Sequence, residues 1–137
     1  RYDFITGFQE FISDLRANGV RTAVVTSSNI PKMESVYGYQ PGFKSLFDAI
    51  LTSEDFVRSK PDPDCYLKAA QVLGAQADEC IVFEDSFNGL RSGRAAGMVV
   101  VGLSTTNPSE AISPFSDLQI PDYVGLSYER LSQAFIL

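Results

Sequence analysis

The sequence contains no histidine, and its two cysteines, Cys65 and Cys80, do not form a CxxC pair. The lack of histidine excludes a histidine-dependent catalytic triad within these 137 residues, and together with the cysteine count it excludes most zinc sites. Because so few cysteines cannot build a disulfide framework, we expect a reducing, cytoplasmic location. Apolar runs that approach the length of a membrane span, about 18 residues, are also missing.

Basic residues are scarce and are not clustered. Eleven Lys and Arg stand against 17 Asp and Glu, which gives a formal net charge of -6. A net-negative chain without a basic cluster is a poor candidate for binding nucleic acid or an anionic membrane, so we expect neither partner. The composition, 45% hydrophobic and 20% charged, is typical of an ordinary globular domain with enough apolar material for a core.

Short apolar runs alternate with helical patterns along the chain. Strands are predicted at residues 20–26, 49–52, 80–83, 98–103 and 123–124, the last as an edge strand. Helices are predicted at residues 8–15, 31–37, 64–73, 90–95 and 131–135, and a loop rich in Ser, Thr and Pro at 104–114. A parallel sheet with crossover helices requires this alternation. The predicted fold class is therefore α/β, with a doubly wound parallel sheet.

Glycine and apolar positions give finer predictions for three of the helices. The apolar spacing in the helix at 64–73 predicts that Leu67 is buried, and Gly38 is predicted to open the loop after the second helix. Three glycines fall four residues apart on the helix at 90–95 and its flanks, at positions 89, 93 and 97. That spacing predicts close packing of this helix on the sheet.

Three polar stretches lie at the carboxyl ends of predicted strands or in the loops beside them. They are residues 26–29, 59–62 and 84–86, with the sequences TSSN, SKPD and EDS. Ligands of open parallel sheets collect beyond the carboxyl ends of the strands. Hydroxyls, turn amides, one ammonium and two adjacent carboxylates suit a phosphate together with a divalent cation.

Each stretch alone also has a purely structural explanation. Thr26 and Ser27 are typical of a helix-capping loop, and Asp85 or Ser86 could cap the following helix in the same way. Lys60 alone is typical of a solvated surface lysine. The adjacent carboxylates at 84 and 85 repel each other unless a cation or hydrogen-bond donors compensate.

Taken together, the stretches resemble the haloacid dehalogenase superfamily, in particular its β-phosphoglucomutase and phosphoglycolate-phosphatase-like branch. The family's second, third and fourth motifs match VVTSSN, SKPDPDCYLKAA and IVFEDSFNGLRSGRAAGM, in the family's order and over nearly the whole chain. The resemblance implies that Thr26 and Ser27 hold the transferring phosphoryl group. It implies that Lys60 offsets charge on the nucleophile and on the phosphoryl oxygens, and that Asp85, assisted by Glu84, holds Mg²⁺.

The family's first motif, an apolar strand ending in Asp-x-Asp-Gly-Thr, is absent from this sequence, and so is the family's cap domain. The Asp-x-Asp at residues 62–64 follows no strand and lacks the Gly-Thr turn, so it is rejected as the nucleophile. The resemblance implies that residues 1–137 are the C-terminal part of the core domain. The nucleophile strand would lie between the strands at 20–26 and 80–83. We expect the chain alone to be inactive, and to fold poorly unless a companion N-terminal fragment or another chain completes the sheet.

The activity that the resemblance implies is Mg²⁺-dependent phosphoryl transfer. The first expectation is a phosphatase that acts on a small phosphorylated metabolite, through an aspartyl-phosphate on the missing N-terminal part. The second is a β-phosphoglucomutase. An alternative of another class is a catalytically inert fragment or a binding module, which the missing nucleophile favours for the chain by itself.

Overall fold

Parallel strands alternate with helices in a computed structural model that describes residues 4–135. The strands within these residues are β1 (Ala23–Val25), β2 (Ala49–Leu51), β3 (Ile81–Glu84), β4 (Val99–Leu103) and β5 (Leu118–Ile120). The helices in the same range are α1 (Phe8–Ala17), α2 (Ile30–Tyr39), α3 (Asp64–Leu73), α4 (Phe87–Ala95), α5 (Ser109–Ile112) and α6 (Tyr128–Phe135). All strand pairs are parallel, so the predicted α/β class is confirmed. Across residues 4–135 no helix is long and apolar enough to cross a membrane.

The strands form two separate sheets with a gap between them. β1 pairs with β2, while β3, β4 and β5 form the second sheet in that order, and no ladder in the described part of the chain joins β1 to β3. A cavity of about 1590 Å³, lined by both of these strands and by α1 and α3, occupies the gap. This is the position that the resemblance gives to the nucleophile strand.

Helices cover both faces of the larger sheet. Successive side chains of β3 pack against different helices on the two faces. Ile81 and Phe83 pack on one face, against a cluster built largely by α1 and α6 that contains Phe11, Ile12, Leu15, Leu103, Tyr123 and Leu131. Val82 packs on the other face, against α3 and the end of α4. Because successive side chains of a strand point to opposite faces, Glu84 lies on the same side as Val82.

The predicted edge strand at residues 123–124 is wrong. Tyr123 is a buried side chain of the core, whereas Val124 is 64% exposed. Gly125 follows in the left-handed region with φ of 74°, which turns the chain and is incompatible with a continuing strand. The edge strand is instead β5, Leu118–Ile120, which pairs with β4 through Val101↔Leu118 to Leu103↔Ile120.

Two helical details also differ from the predictions. The predicted loop at 104–114 contains the short helix α5, which forms because the fully buried Ile112 packs with Leu90 and Val100. Leu67 is 46% exposed, although the bounds of α3 match the prediction. The buried face of α3 is rotated towards α4, where Cys65 Sγ lies 3.4 Å from Ser92 Oγ. In addition, α2 extends to Tyr39 and therefore includes the glycine at 38 that was predicted to open a loop.

The prediction that α4 packs closely on the sheet is confirmed at Gly93. A β-carbon at this position would lie 3.1 Å from side-chain atoms of Val82 and Val100. These two valines are buried on adjacent strands, so they have little freedom to retreat.

Gly93→Ala should destabilise the fold by about 1–3 kcal/mol, because the added methyl group overpacks the contact between α4 and the sheet. Gly38→Ala is the matched control, since a β-carbon at Gly38 in α2 meets nothing within 4 Å. That control should stabilise the protein by about 0.5–1 kcal/mol, through the helix preference of alanine. Denaturant unfolding followed by circular dichroism measures both changes. Equal stabilities of the two variants would contradict the proposed tight contact.

Candidate active site

The side chain of Lys60 spans the gap between the two sheets at the carboxyl ends of their strands. Its Nζ donates to the backbone oxygen of Val25, the last residue of β1, at 3.2 Å. It also donates to Oε2 of Glu84, the last residue of β3, at 2.5 Å. The Lys60 and Glu84 side chains are only 13% and 10% exposed. The structure therefore places Lys60 in a buried ion pair and not on the solvated surface.

Hydrogen bonds hold the loop that carries this lysine. Oδ2 of Asp64, at the start of α3, accepts from the backbone N–H groups of Val57 at 2.8 Å and Arg58 at 3.0 Å. Both bonds lower the pKa of Asp64 below its usual value, and the bond from Arg58 has the larger effect. Ser92 Oγ, on α4, donates to the backbone oxygen of Asp62 at 2.7 Å. The loop is thus fixed to both α3 and α4.

The carboxylate of Glu84 is enclosed by three neighbours. The hydroxyl of Tyr66 donates to the same Oε2 that Lys60 uses, at 2.5 Å. The pKa of Tyr66 lies well above its usual value. Burial is the largest cause and the negative charge of Glu84 is the second, so the phenol stays a donor at neutral pH. A β-carbon at Gly89 would lie 2.1 Å from Cδ of Glu84. Any residue other than glycine at position 89 would therefore displace the carboxylate.

Asp85 follows β3 directly and is held by the loop after β4. Its Oδ2 accepts from Oγ1 of Thr106 at 2.6 Å, and its backbone oxygen accepts from Nδ2 of Asn107 at 3.4 Å. Oδ1 of Asp85 accepts no hydrogen bond from residues 4–135. The capping alternative applies to the next residue, because Ser86 Oγ accepts from the N–H of Gly89 in the first turn of α4.

Thr26 and Ser27 follow β1 at the same edge. Oγ1 of Thr26 accepts from the N–H of Ser28 at 3.1 Å, which shapes the turn after the strand. The cap of α2 is provided by Asn29, whose Oδ1 accepts from the N–H of Lys32 at 2.9 Å. The capping explanation therefore holds for Asn29 and does not account for Thr26 and Ser27.

All five predicted site residues line the cavity between the sheets: Thr26, Ser27, Lys60, Glu84 and Asp85. Their roles remain predictions. Within residues 4–135 no group of three or more Asp, Glu, Cys or His is placed to hold a metal ion. The two adjacent carboxylates nevertheless fit Mg²⁺, because this ion is commonly bound by one or two carboxylates, with phosphate oxygens and waters as its other ligands.

Sequence reasoning missed several residues that support the site. Tyr66 was predicted only as part of the helix at 64–73, and its hydroxyl has no sequence signature. Gly89 was given only a packing role, although it makes room for Glu84. Thr106 and Asn107 lay in the predicted loop at 104–114. A signal for them existed, since this loop follows β4 and the carboxyl ends of parallel strands meet at one edge.

The sequence is similar to a hydrolase family and to two named enzymes that act on phosphorylated compounds. The sequence profile described as haloacid dehalogenase-like hydrolase matches residues 4–97. The chain is 35% identical over 127 residues to validoxylamine A 7'-phosphate phosphatase of Streptomyces hygroscopicus subsp. limoneus, covering 93% of this chain and 59% of that protein. It is 34% identical over 102 residues to β-phosphoglucomutase of Mycobacterium tuberculosis, covering 73% of this chain and 39% of that protein.

A solved structure of a hydrolase has the same fold as this chain. The chain superposes on a HAD family hydrolase from Deinococcus radiodurans R1, solved with bound phosphate and sodium, with a TM-score of 0.80 and 28% identity. The match covers 97% of this chain and 61% of that structure. The chain thus spans less than two thirds of the length of these relatives.

Lys60→Met should destabilise the protein by about 3 kcal/mol, because it leaves the buried carboxylate of Glu84 without its cation. Combining it with Glu84→Gln should recover much of that loss, since the charge is then removed as well. Urea unfolding of the single and double variants measures this coupling. Lys68→Met, on the exposed side of α3, is the control and should change stability by less than about 0.5 kcal/mol. Strictly additive effects of the two substitutions would show that the pair is not formed.

Proposed function

The chain belongs to the haloacid dehalogenase-like hydrolase family, and on this premise we propose that the protein containing it is a Mg²⁺-dependent phosphatase of small phosphorylated metabolites. The observation that carries the proposal is the position of Lys60 between the carboxyl ends of β1 and β3, where it bonds the carboxylate of Glu84, the residue that precedes Asp85. A relative that is 35% identical is named as a phosphatase, which supports this choice of reaction.

The chain's own residues can bind and orient a phosphoryl group. An ammonium has three N–H donors, and two of those of Lys60 bond to Val25 and Glu84. The third has no acceptor within residues 4–135 and remains for a phosphoryl oxygen. Thr26 and Ser27 line the same cavity. The hydroxyl of Thr26 and the N–H of Ser27 would provide further donors. Fixed donors of this kind stabilise the charge that develops during phosphoryl transfer.

Asp85 would hold the metal ion, with Glu84 assisting directly or through water. When bound, Mg²⁺ offsets charge on the phosphoryl oxygens. The hydroxyl of Thr106 holds Oδ2 of Asp85 at 2.6 Å and thereby fixes the orientation of this carboxylate. Its other oxygen, Oδ1, then remains for the ion.

We further propose that the attacking carboxylate comes from a segment or chain outside residues 1–137, on a strand that fills the gap between β1 and β3. The size of the cavity, about 1590 Å³, supports this proposal. So does its lining, since apolar side chains such as Phe11, Ile12 and Val82 contribute to it. A central parallel strand is apolar on both faces and matches such a lining.

A second candidate function is that of a β-phosphoglucomutase. The 34% identity to a protein of that name over 102 residues favours it. In that case a sugar hydroxyl, and not water, would accept the phosphoryl group. An assay of the intact protein with β-glucose 1-phosphate and a catalytic amount of the bisphosphate distinguishes the two reactions. The alternative of an inert fragment or binding module applies to residues 1–137 by themselves.

The proposed location is the cytoplasm. Cys65 is a buried free thiol, and Cys80 is a partly buried free thiol. Free thiols suit a reducing compartment.

Lys60→Ala and Asp85→Asn in the intact protein should each lower kcat by about 100-fold or more, because each removes a charge that acts on the phosphoryl group. Hydrolysis of p-nitrophenyl phosphate with MgCl₂ is the measurement, and EDTA should abolish it. Lys68→Ala and Asp122→Asn are matched controls away from the cavity, and both should retain wild-type kcat. Near-normal turnover of Lys60→Ala or Asp85→Asn would exclude the proposed roles.

Residues 1–137 alone should fold poorly, because the facing edges of β1 and β3 have backbone groups without ladder partners in the described range 4–135. Size-exclusion chromatography and thermal circular dichroism test this, first on the chain alone and then with an added peptide that carries an apolar strand ending in Asp-x-Asp-Gly-Thr. The peptide should sharpen the melting transition and reduce aggregation. A stable monomer with a two-state melt in the absence of peptide would contradict the proposed missing strand.

A further inference from the structure

We propose that Tyr66 is a positioning residue for Lys60, which it holds through two parts of one side chain. Its hydroxyl bonds the carboxylate that pairs with the lysine, and its ring lies beside the ammonium. The consequence for phosphate binding rests on the function proposed above, whereas the positioning itself does not.

The geometry connects Tyr66 to both members of the ion pair. Its hydroxyl donates to Oε2 of Glu84 at 2.5 Å, and the centre of its ring lies 5.2 Å from Nζ of Lys60. The side chain is itself buried, at 8% exposure, on α3. Neighbours of Tyr66 on the same helix, Cys65 and Ala70, belong to the same buried cluster and anchor the helix there. Tyr66 is therefore a fixed point from which the ion pair is held.

The hydroxyl limits the freedom of the carboxylate. Lys60 and Tyr66 both donate to Oε2, and Oε1 of Glu84 accepts no hydrogen bond within residues 4–135. With the backbone of Gly89 against it, the carboxylate is held from three directions. Without the hydroxyl, Lys60 is the remaining donor to Glu84, and the two side chains can turn together. The third N–H of the lysine then loses its fixed direction towards the cavity.

Packing does not require this hydroxyl. Phenylalanine would fill nearly the same volume and keep an aromatic ring beside the ammonium, so Tyr66→Phe removes only the hydrogen bond. Tyr123 provides the matched control because it is equally buried, at 7% exposure. Its ring packs on Phe11 and Phe83, and its hydroxyl donates no hydrogen bond within residues 4–135.

The experiment uses the intact protein and four variants: Tyr66→Phe, Tyr123→Phe, Lys60→Met and the double variant Tyr66→Phe/Lys60→Met. The first readout is the ¹⁵N–¹H signal of the Lys60 ammonium, assigned by its absence in Lys60→Met. The second is the Kd of inorganic phosphate, measured by calorimetry with Mg²⁺ present. The signal should be sharp in the wild type and in Tyr123→Phe, and broadened by solvent exchange in Tyr66→Phe.

The Kd should rise about tenfold in Tyr66→Phe, the typical loss for one hydrogen bond to a charged group. Tyr66→Phe should have little further effect in the Lys60→Met background, because Tyr66 acts through the lysine. A purely structural role predicts instead the same factor in both backgrounds. An unchanged ammonium signal in Tyr66→Phe, or the absence of a sharp signal in the wild type, would overturn the inference. If the wild type binds no phosphate, the proposed function fails, and the ammonium signal alone decides the role of Tyr66.

Discussion

The Lys60 ammonium joins two sheets that share no ladder within residues 4–135, and the arrangement of the site depends on this contact. It bonds the last residue of β1 through a backbone oxygen and the last residue of β3 through a carboxylate. Taking both charges of an ion pair out of water costs several kcal/mol per ion unless further hydrogen bonds satisfy them. The neighbours of the pair provide these bonds and the necessary space: Tyr66 donates to the carboxylate, and Gly89 leaves room for it.

The same constraint explains why so many loop contacts converge at this edge. A lysine side chain is long and flexible, so a fixed ammonium requires a fixed backbone beneath it. Asp64 accepts two amides of the preceding loop, and Ser92 on α4 donates to the backbone of that loop at Asp62. The loop is thereby tied to the helix that also packs against β3. One rigid unit therefore carries both the cation and the carboxylate that it pairs with.

Periodicity and strand-end chemistry predicted much of this from the sequence. The predicted α/β alternation was correct. The predicted bounds of α3 were also correct, because its apolar pattern is long and lies between a proline and a glycine. The strand at 123–124 was wrong because a buried aromatic in a loop has the same local composition as an edge strand. The placement of Thr26, Lys60 and Asp85 on one cavity followed from the rule that carboxyl ends of parallel strands meet at one edge. The bond from Tyr66 to Glu84 was not predictable, since it joins side chains 18 residues apart whose meeting depends on helix rotation.

Charge balance at this edge gives an independent reason to propose a divalent cation. Lys60 contributes one positive charge, while Glu84 and Asp85 together contribute two negative charges. A phosphate monoester brings about 1.5 to 2 further negative charges at neutral pH. Because the cavity is partly enclosed by protein, such a concentration of negative charge is weakly screened and repels the ester. Added positive charge beside Asp85 would reverse that repulsion, and Mg²⁺ supplies two such charges in a form that carboxylate and phosphate oxygens bind.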